Sequence, residues 1–166
     1  PTLDKDVSKP IEDELRKHGI ELHLNEPVEA FDGKDRVNEI ITNKDSYKVD
    51  IVLLSTGVKP NVDFARKLSL EIGSTGAIKV NRRMETSVNN IYAAGDNVET
   101  INLVTGKPSY FPLAPVANKM GRVAGENIAG GYAEFPGALG TSISKVFSLE
   151  IGKTGLSYEE SLKEGF

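Results

Sequence analysis

Val7, Ile11 and Leu15 recur every four residues and draw one apolar stripe along a helix. Gly19 stands where such a helix would close with a left-handed residue. Asp4 and Ser8 are its candidate N-caps, and Pro10 favours the later start or a disturbed first turn. Ile20, Leu22 and Leu24 then alternate with Glu21 and His23, the two-residue period of a half-buried strand. Three short extended runs follow at residues 28–31, 37–42 and 49–55, separated by turn residues at Asp32-Gly33 and Asn43-Lys44-Asp45-Ser46. They read as an antiparallel meander. The last run, Asp50-Ile51-Val52-Leu53-Leu54-Ser55, has no polar residue in its middle, which predicts a strand buried on both faces.

Past Pro60 the pattern predicts a short helix over 62–68 and strands over 77–80 and 91–94, the second stopping at Gly95-Asp96. Residues 99–111 read as a polar loop with a Thr105-Gly106-Lys107-Pro108 turn. The strongest helix runs over 113–129, with prolines near its start and Gly130-Gly131 at its end. Gly121 and Gly125 lie four apart within it and would allow a close helix contact. Residues 142–149 and 152–156 look extended, and a helix starts near Ser157 just before the chain stops. That end, and the opening Pro1-Thr2-Leu3-Asp4 without an initiator Met, suggest a piece of a longer protein.

Composition narrows the chemistry. The chain has 166 residues, 39% hydrophobic and 27% charged, with a net charge of −4. No long basic run favours nucleic acid as a partner. No apolar stretch reaches the roughly 18–20 residues of a membrane span, and no signal peptide opens the chain, so the expected location is cytoplasmic. Cysteine is absent, which removes disulfides, thiolate metal sites and the usual nucleophile of thiol redox chemistry from this chain. His18 and His23 are too few for most metal sites; His18 suits the last turn of a helix, and His23 the solvent face of its strand.

Three features carry candidate chemistry. Ala93-Ala94-Gly95 is a strand end made of small residues, open to close approach, and Asp96 sits at the carboxyl end where open α/β sheets bind ligands. Its carboxylate could accept hydrogen bonds from sugar or ribityl hydroxyls, or simply cap a loop. The helix start near Leu113 offers N–H groups and a positive dipole end to an anion or an electron-rich carbonyl; an ordinary packing helix explains it equally. Thr56-Gly57 before Pro60 is a tight reversal, as a crossover between two nucleotide domains would need. Tyr110-Phe111 could stack on a ligand, with core packing or loop anchoring as the simpler reading.

Taken in order, Ser55-Thr56-Gly57-Val58-Lys59-Pro60-Asn61, Gly76-Ala77-Ile78-Lys79-Val80, Met84-Glu85-Thr86-Ser87 and Ile91-Tyr92-Ala93-Ala94-Gly95-Asp96 resemble the pyridine nucleotide-disulfide oxidoreductase family. Pro112-Leu113-Ala114-Pro115, Asn118-Lys119-Met120-Gly121, Phe135-Pro136-Gly137 and Glu150-Ile151-Gly152-Lys153-Thr154-Gly155-Leu156 are similar to its coenzyme A-disulfide reductase and NADH oxidase branch. The resemblance implies an α/β fold: partial Rossmann-like dinucleotide-binding domains with an antiparallel meander, plus the start of an α+β dimerisation domain. Residues 1–57 would be the second half of the NAD(P)H domain, 58–133 the C-terminal part of the FAD domain, and 134–166 the beginning of the dimerisation domain.

It further implies FAD and NAD(P)H as cofactors. Asp96 would meet the flavin ribityl chain, and the segment from Leu113 to Asn118 would lie under the pyrimidine ring. The implied cofactor positions are Gly57, Pro60, Ile91, Ala94, Gly95, Asp96, Leu113, Ala114, Pro115 and Asn118. The intact protein would be a homodimer passing hydride from NAD(P)H through flavin to a disulfide, such as coenzyme A disulfide, or to oxygen. This chain has no GxGxxG turn. The family's redox cysteine would lie N-terminal to it, so no catalytic residue is assigned here. The competing readings are a non-catalytic nucleotide-binding module and an interaction protein on a degenerate reductase scaffold.

Overall fold

The computed structural model describes residues 3–166. Pro1 and Thr2, at the Met-less start noted above, lie outside them. The chain divides into two compact units. One is Pro10–Gly57; the other joins Pro1–Lys9 to Val58–Phe166.

The first helix, α1, is Lys5–Lys17. It starts earlier than Pro10 suggested: the Asp4 carbonyl accepts from Val7 N (3.1 Å) and Ser8 N (2.9 Å), and Pro10 sits inside the helix. Its C-terminus closes as the glycine predicted. Gly19 takes φ +78, its N–H reaches the Arg16 carbonyl, and Ile20 N–H reaches that of Leu15, a Schellman motif.

In the unit Pro10–Gly57 the meander is present: β1 (Val28–Asp32), β2 (Glu39–Thr42) and β3 (Ser46–Lys48) form one sheet in that order. Both pairings are antiparallel, with Phe31 opposite Ile40 and Ile40 opposite Tyr47. The third strand is not the one expected. Thr42 closes the turn, donating its N–H to the Asp45 carbonyl and accepting Asp45 N–H on Oγ1, so β3 begins at Ser46. Residues 50–55 therefore join no sheet, and Ile51, Leu53 and Leu54 are 85%, 88% and 68% exposed. The expectation of a strand buried on both faces fails because no neighbouring strand in this chain covers it. Residues 20–24 also form no strand, for the same reason: alternation gives a face, but a ladder needs a partner.

His23 is not simply solvated. Its ring tilts against Tyr47 at 4.4 Å, Nδ1 is 2.9 Å from the Tyr47 hydroxyl, and Nε2 is 3.0 Å from Glu21. Tyr47 donates to Glu26, and that bond pushes its pKa up to about 12. His18 follows the last turn of α1, with Nε2 3.3 Å from Glu14.

The larger unit holds the core. Val62, Ala65, Leu70, Ile78, Met84, Val98, Met120, Ala124, Phe135 and Ala138 pack together. Its elements are short: α2 (Asp63–Lys67), a hairpin of β4 (Thr100–Ile101) and β5 (Pro108–Ser109), α3 (Ala114–Ile128), a hairpin of β6 (Ser142–Val146) and β7 (Leu149–Lys153), and α4 (Tyr158–Glu164). Residues 77–80 and 91–94, expected as strands, make single bridges only: Ile78 with Ile72 and Val98, and Tyr92 with Glu85. The expected polar loop 99–111 is instead the β4–β5 hairpin, turned at Gly106 (φ +69). The close contact expected at Gly121 and Gly125 is absent; open space lies where their side chains would stand.

Asp4 caps α4 from across the sequence, accepting Tyr158 N–H at 2.7 Å and Glu159 N–H at 3.2 Å. Ser157 and Glu160 complete a capping box on the same helix end. No helix among the described residues is long and apolar enough to cross a membrane.

Candidate flavin half-site

The site grows from the segment 84–94. Thr86 N–H bonds to the Ile91 carbonyl (2.9 Å) and Ala93 N–H to that of Met84 (3.0 Å), which folds 91–94 back on its own approach. Ile91, Tyr92, Ala93 and Ala94 rest half-buried on the core. Gly95 then takes φ +94, a conformation that L side chains rarely adopt, and its carbonyl accepts Val98 N–H at 3.1 Å. Asp96 and Asn97 are the central residues of this turn. Two bonds tether its base: Ile78 N–H to the Asn97 carbonyl (2.8 Å) and Glu99 N–H to the Ile78 carbonyl (3.0 Å).

Asp96 is exposed, and no hydrogen bond or ion pair holds its carboxylate to another described residue. Its backbone carbonyl is held instead, by the Tyr110 hydroxyl at 2.7 Å. The Asn97 side chain accepts Asn61 N–H at 3.1 Å, which brings the residue after half-buried Pro60 to the same turn. A Cβ on Gly95 would lie 3.9 Å from that of Ala117, in the first turn of α3. The turn and the helix start are therefore in van der Waals reach of each other.

The start of α3 leaves positive potential available there. Leu113 is extended (φ −128, ψ 127) and gives no side-chain cap, and no acidic residue sits in the first turn. Pro115 has no N–H, while Val116 and Ala117 N–H groups both bond the Leu113 carbonyl at 2.9 Å. Ala114, Pro115 and Asn118 are exposed and Leu113 half-buried. An unpartnered carboxylate beside an uncapped helix end offers an acceptor for hydroxyls and a dipole for an electron-rich ring. That pair fits a flavin with its ribityl chain.

Of the positions named from the sequence, Ile91, Ala94, Gly95, Asp96, Leu113, Ala114, Pro115 and Asn118 belong to these two converging segments. Gly57, at φ +91, ends the other unit and is exposed there. Sequence reasoning passed over Asn97, Asn61 and the hydroxyl of Tyr110. An Asp-Asn pair after glycine is a turn signal that marks Asn97; nothing local marks Tyr110, which the β4–β5 hairpin delivers from fourteen residues away. A cavity of about 450 Å³ is lined by Tyr110, Phe111, Leu113 and residues of the β6–β7 hairpin, with Lys153 and Glu160 in its wall; neither Gly95 nor Asp96 lines it. No group of metal-ligating side chains occurs among the described residues.

The family model for pyridine nucleotide-disulphide oxidoreductases matches residues 1–121, most of the chain and all of this site. The chain belongs to that family. Within the pyridine nucleotide-disulphide oxidoreductases it is 52% identical over 165 residues to an NAD(P)H sulfur oxidoreductase (CoA-dependent) of Pyrococcus furiosus. The match covers 99% of this chain and 37% of that protein. An NADH oxidase of Methanocaldococcus jannaschii is 43% identical, over 93% of this chain and 34% of its own length. The solved structure of an FAD-dependent member from Desulfovibrio vulgaris superposes with a TM-score of 0.94 at 42% identity, covering 99% of this chain and 42% of that one. The chain thus spans little more than a third of the length of the relatives it matches.

Proposed function

We propose that this chain is the flavin-cradling part of an NAD(P)H-dependent flavoprotein reductase. The observation that carries the reading is the approach of Gly95 to Ala117 in the first turn of α3, with the adjoining Asp96 exposed. Asp96 would accept ribityl hydroxyls, the α3 start from Leu113 to Asn118 would hold the pyrimidine edge, and Pro60, Ile91, Ala94 and Gly95 would shape the wall. The helix dipole favours negative charge at that edge, and with it flavin reduction. The bound flavin supplies the relay between a two-electron donor and the acceptor.

Residues 1–57 contribute to the NAD(P)H domain, 58–133 to the FAD domain and 134–166 to a dimerisation domain. The exposed run at 51–54 is covered in the complete protein by the remainder of the polypeptide. The chain holds no cysteine, so the sulfur chemistry belongs elsewhere in that polypeptide. The acceptor we favour is a disulfide or persulfide of coenzyme A type, supported by the 52% identity to a CoA-dependent sulfur oxidoreductase; oxygen is the second reading, supported by the 43% identity to an NADH oxidase. The complete protein is a homodimer.

The test is a flavin titration of the complete protein and its Asp96→Ala variant. Loss of a hydrogen-bonding carboxylate weakens FAD binding about tenfold or more. Bleaching of the bound flavin by NADH supports the reductase over a passive nucleotide module. Equal FAD affinity in the two proteins contradicts the site.

A further inference from the structure

The carboxylate of Asp96 has no hydrogen-bond or ion-pair partner among the described residues, yet a ligand-binding group must be aimed before the ligand arrives, or binding bears the cost of ordering it. What aims it lies in the backbone beneath. Three side-chain or steric constraints meet at this turn: the φ +94 of Gly95, the Asn97 amide oxygen on Asn61 N–H, and the Tyr110 hydroxyl on the Asp96 carbonyl. The first two fix the residues on either side of Asp96. Only the third acts on the peptide of Asp96 itself.

We infer that Tyr110 is a positioning residue for the cofactor site, holding the Asp96 peptide so that the carboxylate stands ready for a polyhydroxyl chain. The inference rests on the flavin reading above. The hairpin explains why a residue so distant in sequence can do this. Thr100 pairs with Ser109 and Ile101 with Pro108, so the chain returns antiparallel and sets Tyr110 down beside the turn it left. Tyr110 is half-buried, and its neighbour Phe111 packs on the core, which ties this end of the hairpin down. A 2.7 Å bond from a hydroxyl to a carbonyl has the usual length of a well-formed O–H···O pair. Burial first, and the nearby Asp96 charge second, hold the Tyr110 pKa above its ordinary value, so the hydroxyl keeps its proton and remains a donor. Tyr110 acts through Asp96 and needs no contact with the flavin.

A double-mutant cycle in the complete flavoprotein tests this, with the FAD dissociation constant as readout. Tyr110→Phe keeps the ring and its packing and removes one O–H. It should weaken FAD about two- to tenfold, the worth of one ordering hydrogen bond. In an Asp96→Ala background the same change should have almost no further effect, because there is no carboxylate left to aim. An equal loss in both backgrounds would mean that Tyr110 serves only general stability, and would overturn the inference. So would unchanged affinity in Tyr110→Phe while Asp96→Ala binds poorly. If Asp96→Ala itself binds FAD normally, the underlying flavin reading falls, and this inference falls with it.

Discussion

Residues 62–138 bury apolar side chains from Val62 to Ala138 against one another, with Met120 only 1% exposed. In the unit Pro10–Gly57 the only buried residues are Glu14 and Thr42, while Leu53 stands 88% exposed. Both regions have well-formed hydrogen bonds: a Schellman end, a three-stranded meander and a locked Thr42 turn in one, a tethered Gly95–Val98 turn and a capping box in the other. What separates them is cover. A sheet and a helix acquire an inside only when a second layer closes over them. The core unit has that layer within the chain. In the meander unit Ile51, Leu53 and Leu54 stay exposed, and the relative from Pyrococcus furiosus is nearly three times as long as this chain.

Changing one residue in each region should break this contrast in opposite ways. Leu53→Asp should alter the stability of the 166-residue chain by no more than about 0.5 kcal/mol, because the side chain already faces water. In the complete protein, with the run covered as proposed above, the same change should cost about 3–5 kcal/mol through a charge left buried and unpaired. Equal urea midpoints in the complete wild type and variant would show that 51–54 stays uncovered. Met120→Ala should cost about 2–5 kcal/mol in the chain itself, through lost packing and a cavity. A loss below about 1 kcal/mol by urea denaturation would mean that the core around α3 is loosely packed.

The smallest effect is a pH dependence within the larger unit. The Tyr158 N–H, first, and that of Glu159 hold the Asp4 carboxyl below its ordinary pKa; the Ser157 N–H does the same for Glu160, helped by Lys153. Carboxylates with depressed folded-state pKa values add stability above the unfolded value and lose it as pH falls through the folded one. The start of α4 should therefore hold at neutral pH and loosen only below the usual carboxylate range. Asp4→Asn should remove part of that dependence, leaving the part due to Glu160. Hydrogen exchange at Tyr158 and Glu159 measures it; identical acid profiles in the two proteins would exclude the cap.

The sequence disclosed elements that are local. The α1 stripe and Gly19 end, the long α3 with its prolines and glycines, the meander topology and the α4 start all follow from spacing within a few residues. It misjudged what depends on neighbours elsewhere. Residues 20–24, 77–80, 91–94 and 50–55 have strand patterns but lack ladder partners, and Gly121 and Gly125 have the small size but no opposing helix. The candidate site divides the same way. Gly95-Asp96 was legible as the end of a run of small residues, though not of a strand, and the α3 start as a helix end. Tyr110 was not, since its role arises only when the hairpin of β4 and β5 folds back.

The measurement that tests the account most directly is the structure of the complete protein grown with FAD, read at Asp96. The account predicts an Asp96 carboxylate oxygen within about 3.2 Å of a ribityl hydroxyl, with the α3 start at the pyrimidine edge. A flavin seated elsewhere, with Asp96 turned to bulk solvent, would contradict it.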